Sequence, residues 1–195
     1  MHIKAFGVFP ILFAGLLAVH PASGGHLPSA SRIPARHSSF RILWGAGHAR
    51  MLKNIENAGM WHAARKLAGP YAAQAIEQAE LQHLPKLLIA AIIHQENGGD
   101  LYHCAEVVSP AGAIGPMQLM PDTAWQFLRI NPWNPRQNIQ GGARYVKYLV
   151  EEFHSVRKAL MAYNAGPTAV ARGYVPQSSV FYARAIMKSA GLVVI

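Results

Sequence analysis

The chain has 195 residues, 51% of them hydrophobic and only 14% charged, against about a quarter charged in an ordinary soluble domain. That excludes a wholly disordered chain and leaves room for one domain with extensions, not two full domains. Lysine and arginine number 18 against 9 acids, a formal charge of +9. The electrostatic partners are therefore polyanions: nucleic acid, an acidic membrane surface or an acidic cell-wall polymer. The single cysteine, Cys104, excludes an internal disulfide and a cysteine-rich metal site.

The chain starts with Lys4, an almost wholly apolar run from Phe6 to Val19, and small residues at Ala22, Ser23 and Gly24. This is the order of a secretory signal peptide over 1–23, the alternatives being a retained anchor or a buried helix. The expected location is outside the cytoplasmic membrane, most simply a periplasm. There Cys104 is a lone thiol, either buried or available for pairing between chains. Residues 24–59 read as a flexible basic linker or arm, the first half carrying glycine, proline, serine and scattered bases without a helical period.

Residues 60–195 read as one mainly α domain of at least five helices. YAAQAIEQAELQ, from Tyr71, holds good helix formers. Pro85 suits the first turn of PKLLIAAIIHQEN, whose dense apolar residues mark a core helix stopped by Asn97, Gly98 and Gly99. The glycine-rich stretch 109–116 suits a very small turn and strand element. Pro121 starts PDTAWQFLRI, and Asn138 is placed to cap IQGGARYVKYLVEEF. VRKALMAYNAG ends at Gly166 and Pro167, and FYARAIMKSA is the last helix.

Glu96 is out of place for a structural residue. Ile92 and Leu88 lie four and eight residues before it, so it shares their strip of the core helix. Burial there raises a carboxyl's pKa, and the negative end of the helix dipole acts in the same direction. Such an acid can donate a proton near neutral pH; the bland alternative is a helix-end glutamate turned into solvent. In SPAGAIGPMQLMPDT, Gly112 and Gly115 allow close backbone approach to a ligand. Gln118 offers an amide donor and acceptor between methionines, suited to a neutral sugar, or else to a helix cap. In AYNAGP, Tyr163 can orient or tune a carboxyl and Asn164 can hold a loop or a substrate amide; the alternative is a core aromatic with a helix stop.

Four ordered blocks, IIHQENGGD (92–100), SPAGAIGPMQLMPDT (109–123), NIQGGARYVKYL (138–149) and ALMAYNAGP (159–167), resemble the catalytic domain of soluble lytic transglycosylases in the lysozyme superfamily. The resemblance covers about 84–185 and implies a lysozyme-like helical fold with a very small strand element beside the groove. It assigns Glu96 as the single catalytic acid and base. Tyr163 would be the tyrosine bonded to that carboxyl, with Asn97 as further support. Met117, Gln118, Asn164, Gly112 and Gly115 would line the sugar groove. Asn97 stands where the family commonly has serine and Pro116 where it often has leucine. Gln177, Ser178 and Ser179 replace a stretch that commonly holds a glutamate.

The implied reaction is non-hydrolytic cleavage of the β-1,4 bond between N-acetylmuramic acid and N-acetylglucosamine, leaving a 1,6-anhydro end. Ordinary glycoside hydrolysis usually needs two carboxylates, whereas this chemistry needs one. No metal and no cofactor is implied: there are ten histidines but no HExxH zinc motif. The implied partner is the peptidoglycan glycan strand, bound by a monomer, and no nucleic-acid module is recognisable. A local wall-opening enzyme of a secretion, conjugation or pilus machine fits the size. The alternatives are a hydrolytic muramidase of the same fold and a non-catalytic peptidoglycan-binding protein.

Overall fold

The computed structural model describes residues 46–192. The signal segment and the first part of the expected arm lie outside the described residues. Among the described residues seven α-helices follow one another: α1 (Ala46–Ala68), α2 (Ala72–Leu81), α3 (Leu88–Glu96), α4 (Pro135–Phe153), α5 (Val156–Ala165), α6 (Pro167–Ala171) and α7 (Gln177–Ser189). The domain is mainly α and, among the described residues, has no strand. The small strand element reduces to two isolated antiparallel bridges, Val108 to Ile114 and Ile114 to Leu119.

The core forms around α3. Leu88 through Ile93 are each at most 1% exposed, because α1, α2 and α7 pack against this helix. No face is left for water, as its unbroken apolar composition requires. On the other side α5 packs against α4, α6 and α7. Cys104 is buried, its thiol donating to the Leu101 carbonyl at 3.4 Å. It is therefore not offered to another chain.

Several local expectations change. Helix α1 runs unbroken across residues 59 and 60, so the arm expected over 24–59 is helical from Ala46 and the expected boundary falls inside an element. Pro85 precedes α3 in a turn, its carbonyl accepting from the Leu88 amide, and the helix begins three residues later. The segment after Pro121 is a single π-helical stretch, Asp122–Phe127, in which the Leu128 amide bonds back to the Thr123 carbonyl. Such wide turns often occur at functional sites.

Asn138 is not a cap. The α4 cap is Asn134, whose side chain accepts from the Gln137 amide, followed by Pro135 in the first turn. Asn138 lies inside the helix and is fully buried. Its carbonyl accepts from the Met117 amide at 2.9 Å, and its amide group donates to the Ile114 carbonyl at 2.8 Å and the Pro132 carbonyl at 3.0 Å. Packing explains the glycine pair of the same block, one turn on. A Cβ at Gly141 would overlap the Ile130 side chain and a Cβ at Gly142 the Met117 sulfur. α4 therefore serves as the seat of the glycine-rich loop.

Candidate active site

Helix α3 ends at Glu96, half-buried at the rim of the apolar core. The phenol of Tyr182 on α7, 86 residues later, donates a hydrogen bond to Glu96 Oε1. Burial pushes the Glu96 carboxyl up to about 7 from an ordinary 4.5, and the Tyr182 bond, which favours the carboxylate, draws it partly back. Near neutral pH both protonation states are populated, as a group acting as acid and then base requires. Tyr182 is itself held far above the ordinary phenol range, first by burial and then by the nearby Glu96 charge. It therefore acts as a permanent donor.

No other carboxylate shares this environment. Asp100 and Glu106, the nearest acids in sequence, are exposed, and Asp100 pairs with His103 at 3.2 Å. Asp122 accepts from Gln126 at 3.0 Å. Glu96 is thus the one carboxyl among the described residues that is pushed up by burial.

Asn97 ties the end of α3 to the glycine-rich loop. Its amide nitrogen donates to the Ile93 carbonyl at 2.8 Å and to the Pro116 carbonyl at 2.7 Å. Pro116 contributes an acceptor here, so its missing N–H costs nothing at this contact. With both amide hydrogens directed at carbonyls, Asn97 Oδ1 is left buried without a donor among the described residues. It is a buried, unpaired acceptor on the residue that follows Glu96.

The groove residues expected from sequence divide into two groups. The Met117 side chain is fully buried against Gly142, so it packs the core instead of facing a ligand. Gly115 is also internal: at φ +76°, a Cβ would come within 2.6 Å of the Asn138 amide nitrogen. Its glycine is required by packing, not by ligand approach. Gly112 has open space around it. Gln118 holds a left-handed backbone at φ +46°, a strained conformation for a side-chain-bearing residue. Its amide group donates to the Gly115 carbonyl at 2.9 Å and the Val107 carbonyl at 3.3 Å. What it can offer a ligand is its carbonyl oxygen.

The Tyr163 hydroxyl donates to the Met117 carbonyl at 2.7 Å, not to Glu96. The bond expected of Tyr163 is made by Tyr182. Sequence reading missed this residue, although a signal was present. Ser179, Tyr182 and Ile186 recur at helical spacing and all are buried. A tyrosine on a buried strip needs an acceptor for its hydroxyl. Buried Ser179 donates to Asn164 Oδ1 at 2.8 Å, so the stretch lacking the expected glutamate instead fixes the orientation of Asn164. The Asn164 amide is left facing away from that bond.

Residues 73–179 match the Transglycosylase SLT domain. The chain belongs to this family. A transglycosylase of Enterobacteria phage PRD1 is 33% identical over 110 residues, covering 56% of this chain and 39% of the phage protein. A membrane-bound lytic murein transglycosylase F of Alkalilimnicola ehrlichii is 40% identical over 97 residues, covering 46% of this chain and 19% of its own. This chain thus spans well under half the length of these relatives. The fold is that of the 70-kDa soluble lytic transglycosylase of Escherichia coli, with a TM-score of 0.55 at 23% identity, over 73% of this chain and 29% of that one. A lytic transglycosylase of Pseudomonas aeruginosa gives the same TM-score at 24% identity, over 71% and 26%. The lysozyme-like helical fold read from the four blocks is the observed one.

Proposed function

We propose that this SLT domain is a peptidoglycan lytic transglycosylase in which Glu96 performs both proton transfers. The observation that carries the reading is a single carboxyl, half-buried at the rim of the core, pushed up to about 7 and held by a phenol. Protonated Glu96 gives its proton to the glycosidic oxygen between N-acetylmuramic acid and N-acetylglucosamine. The substrate's own acetamido oxygen supports the positive anomeric carbon. Glu96, now a carboxylate bonded to Tyr182, removes the proton from the muramoyl C6 hydroxyl. That oxygen closes on C1, leaving a 1,6-anhydro end, and no water is consumed. The Gln118 carbonyl oxygen and the Asn164 amide supply an acceptor and a donor for sugar hydroxyl and acetamido groups.

The direct test is mass spectrometry of purified peptidoglycan digested by the wild-type chain and by Glu96→Gln. Anhydro ends from the first and none from the second support the reading. Reducing ends heavier by one water would assign hydrolysis, and glycan binding without soluble fragments would assign a non-catalytic protein.

The apolar segment 6–19 supports export to the periplasm. Among the described residues no helix is long and apolar enough to cross a membrane. The finer reading is local wall opening beside a secretion, conjugation or pilus machine. Residues 24–45 support it, carrying Arg32, Arg36 and Arg41 without an acid. Deleting them should spare digestion of purified wall and abolish function of the machine in cells.

A further inference from the structure

We propose that Phe127 is a sugar-stacking residue that extends glycan binding beyond the cleavage point. This rests on the transglycosylase reading and adds a subsite to it. Phe127 closes the π-helical stretch immediately after the glycine-rich loop. The residue is 54% exposed, yet it is not loose. It packs edge-on to Tyr145 with ring centres 5.9 Å apart and tilted against Tyr148 at 5.2 Å. Tyr145 continues to Tyr163 at 5.6 Å, and the Tyr163 hydroxyl holds the Met117 carbonyl. An unbroken row of rings therefore leads from the loop beside Glu96 to one open aromatic surface.

The chemistry of that surface suits a pyranose. A sugar ring has an apolar face of C–H groups, and an aromatic ring meets such groups with its electron-rich face. A platform immobilised before binding loses little conformational entropy when the ligand arrives. Tyr145 and Tyr148 provide that immobilisation. The neighbouring π turn gives a physical reason for the placement: the wider turn changes the direction of Phe127 relative to an ordinary helix. A linear glycan occupying the catalytic centre is the one ligand that continuity with Glu96 selects over an unrelated partner.

The test is steady-state kinetics on glycan strands of increasing length. The proteins are wild type, Phe127→Ala, Phe127→Leu, Phe127→Tyr and, as a distant exposed-aromatic control, Trp61→Ala. On long strands Phe127→Ala and Phe127→Leu should raise KM about fivefold to tenfold with kcat nearly retained, the pattern of lost uniform binding. Phe127→Tyr should restore the wild-type value, and Trp61→Ala should not depart from it. The defect should shrink as the strand becomes too short to reach the ring. An equal effect at every length, full rescue by leucine, or no effect on long strands would overturn the proposal. So would conversion of a dimer to a monomer by Phe127→Ala in sedimentation, which would make the ring a contact between copies. Pull-down of long strands by Glu96→Gln, with and without Phe127→Ala, reads the same subsite without turnover. Retention that depends on Phe127 supports stacking even if the wild-type chain proves inactive, and retention independent of it overturns stacking while leaving the reaction assignment standing.

Discussion

The glycine-rich loop is held from two sides by asparagines that differ in their hydrogen bonding. Behind it, Asn138 uses its carbonyl on the Met117 amide and its amide group on two backbone carbonyls, and it is fully buried. In front, Asn97 spends its amide group on the Ile93 and Pro116 carbonyls and leaves a buried oxygen without a donor, next to a carboxyl that burial disfavours. A buried polar residue with every partner in place fixes one conformation. An unpaired acceptor and a raised acid lower stability locally and leave capacity for a ligand. The rear contact therefore supports the fold, and the front is where the proposed chemistry is placed.

The sharpest way to separate the two sides is Glu96→Gln. Turnover of purified peptidoglycan should fall at least ~100-fold, the lower end for a positioned acid or base, while circular dichroism shows an intact fold. Its stability should change in the opposite sense. Folded Glu96 titrates near 7 and the unfolded group near 4.5, so between those values the folded state binds more protons. The cost of the carboxylate is absent below about 4.5, grows as pH rises and is complete above about 7, on the order of 3 kcal/mol. Glu96→Gln should flatten that fall in denaturant titrations across pH 4.5–7 and melt higher than wild type at neutral pH. A destabilised glutamine variant would break the distinction between front and rear.

At the rear, Asn138→Ala should cost about 3 kcal/mol, because it strands the Met117 N–H and the Pro132 carbonyl in the core, the Ile114 carbonyl keeping the Leu119 amide. Urea unfolding would measure this. Activity should fall with the folded fraction instead of through a moved pH profile.

The two tyrosines refine the comparison. Tyr182→Phe removes the bond that favours the Glu96 carboxylate, so Glu96 should titrate higher still. If protonated Glu96 starts the reaction, the alkaline decline of kcat/KM should move to higher pH, with a smaller rate loss than Glu96→Gln. Tyr163→Phe, which frees only the Met117 carbonyl, should cost about 1 kcal/mol of stability and leave that limb in place. A shift with Tyr163→Phe and none with Tyr182→Phe would reverse the assignment.

The smallest effect belongs to Cys104. Burial pushes its thiol up to about 11, so it should resist alkylation in the folded chain at neutral pH, and Cys104→Ala should leave turnover unchanged. Rapid labelling under native conditions would show that the loop opens.

The sequence alone determined helices α2, α3, α4, α5 and α7 and the anomaly at Glu96, because these are local, whereas α1 and α6 were not legible in it. A helix repeats every 3.6 residues, so α4 shows in the spacing of Ile139, Ala143, Val146, Val150 and Phe153, while α2 shows in its helix-forming composition and α3 in its dense apolar run. A carboxyl on an apolar strip stands out within the same nine residues. The tertiary structure decided which groups meet. The Glu96 partner lies 86 residues away, and nothing in the local pattern distinguishes Tyr163 from Tyr182 as donor. Asn138 reads as a cap because asparagine favours helix starts, yet Asn134 takes that place and packing carries Asn138 inward. Met117 reads as a groove residue beside Gln118, but the missing side chain at Gly142 opens a space that only Met117 fills. Hydrogen-bond partners and close-packed volumes are set by contacts between distant segments. Those contacts, not helical period, converted a displaced glutamate into a site.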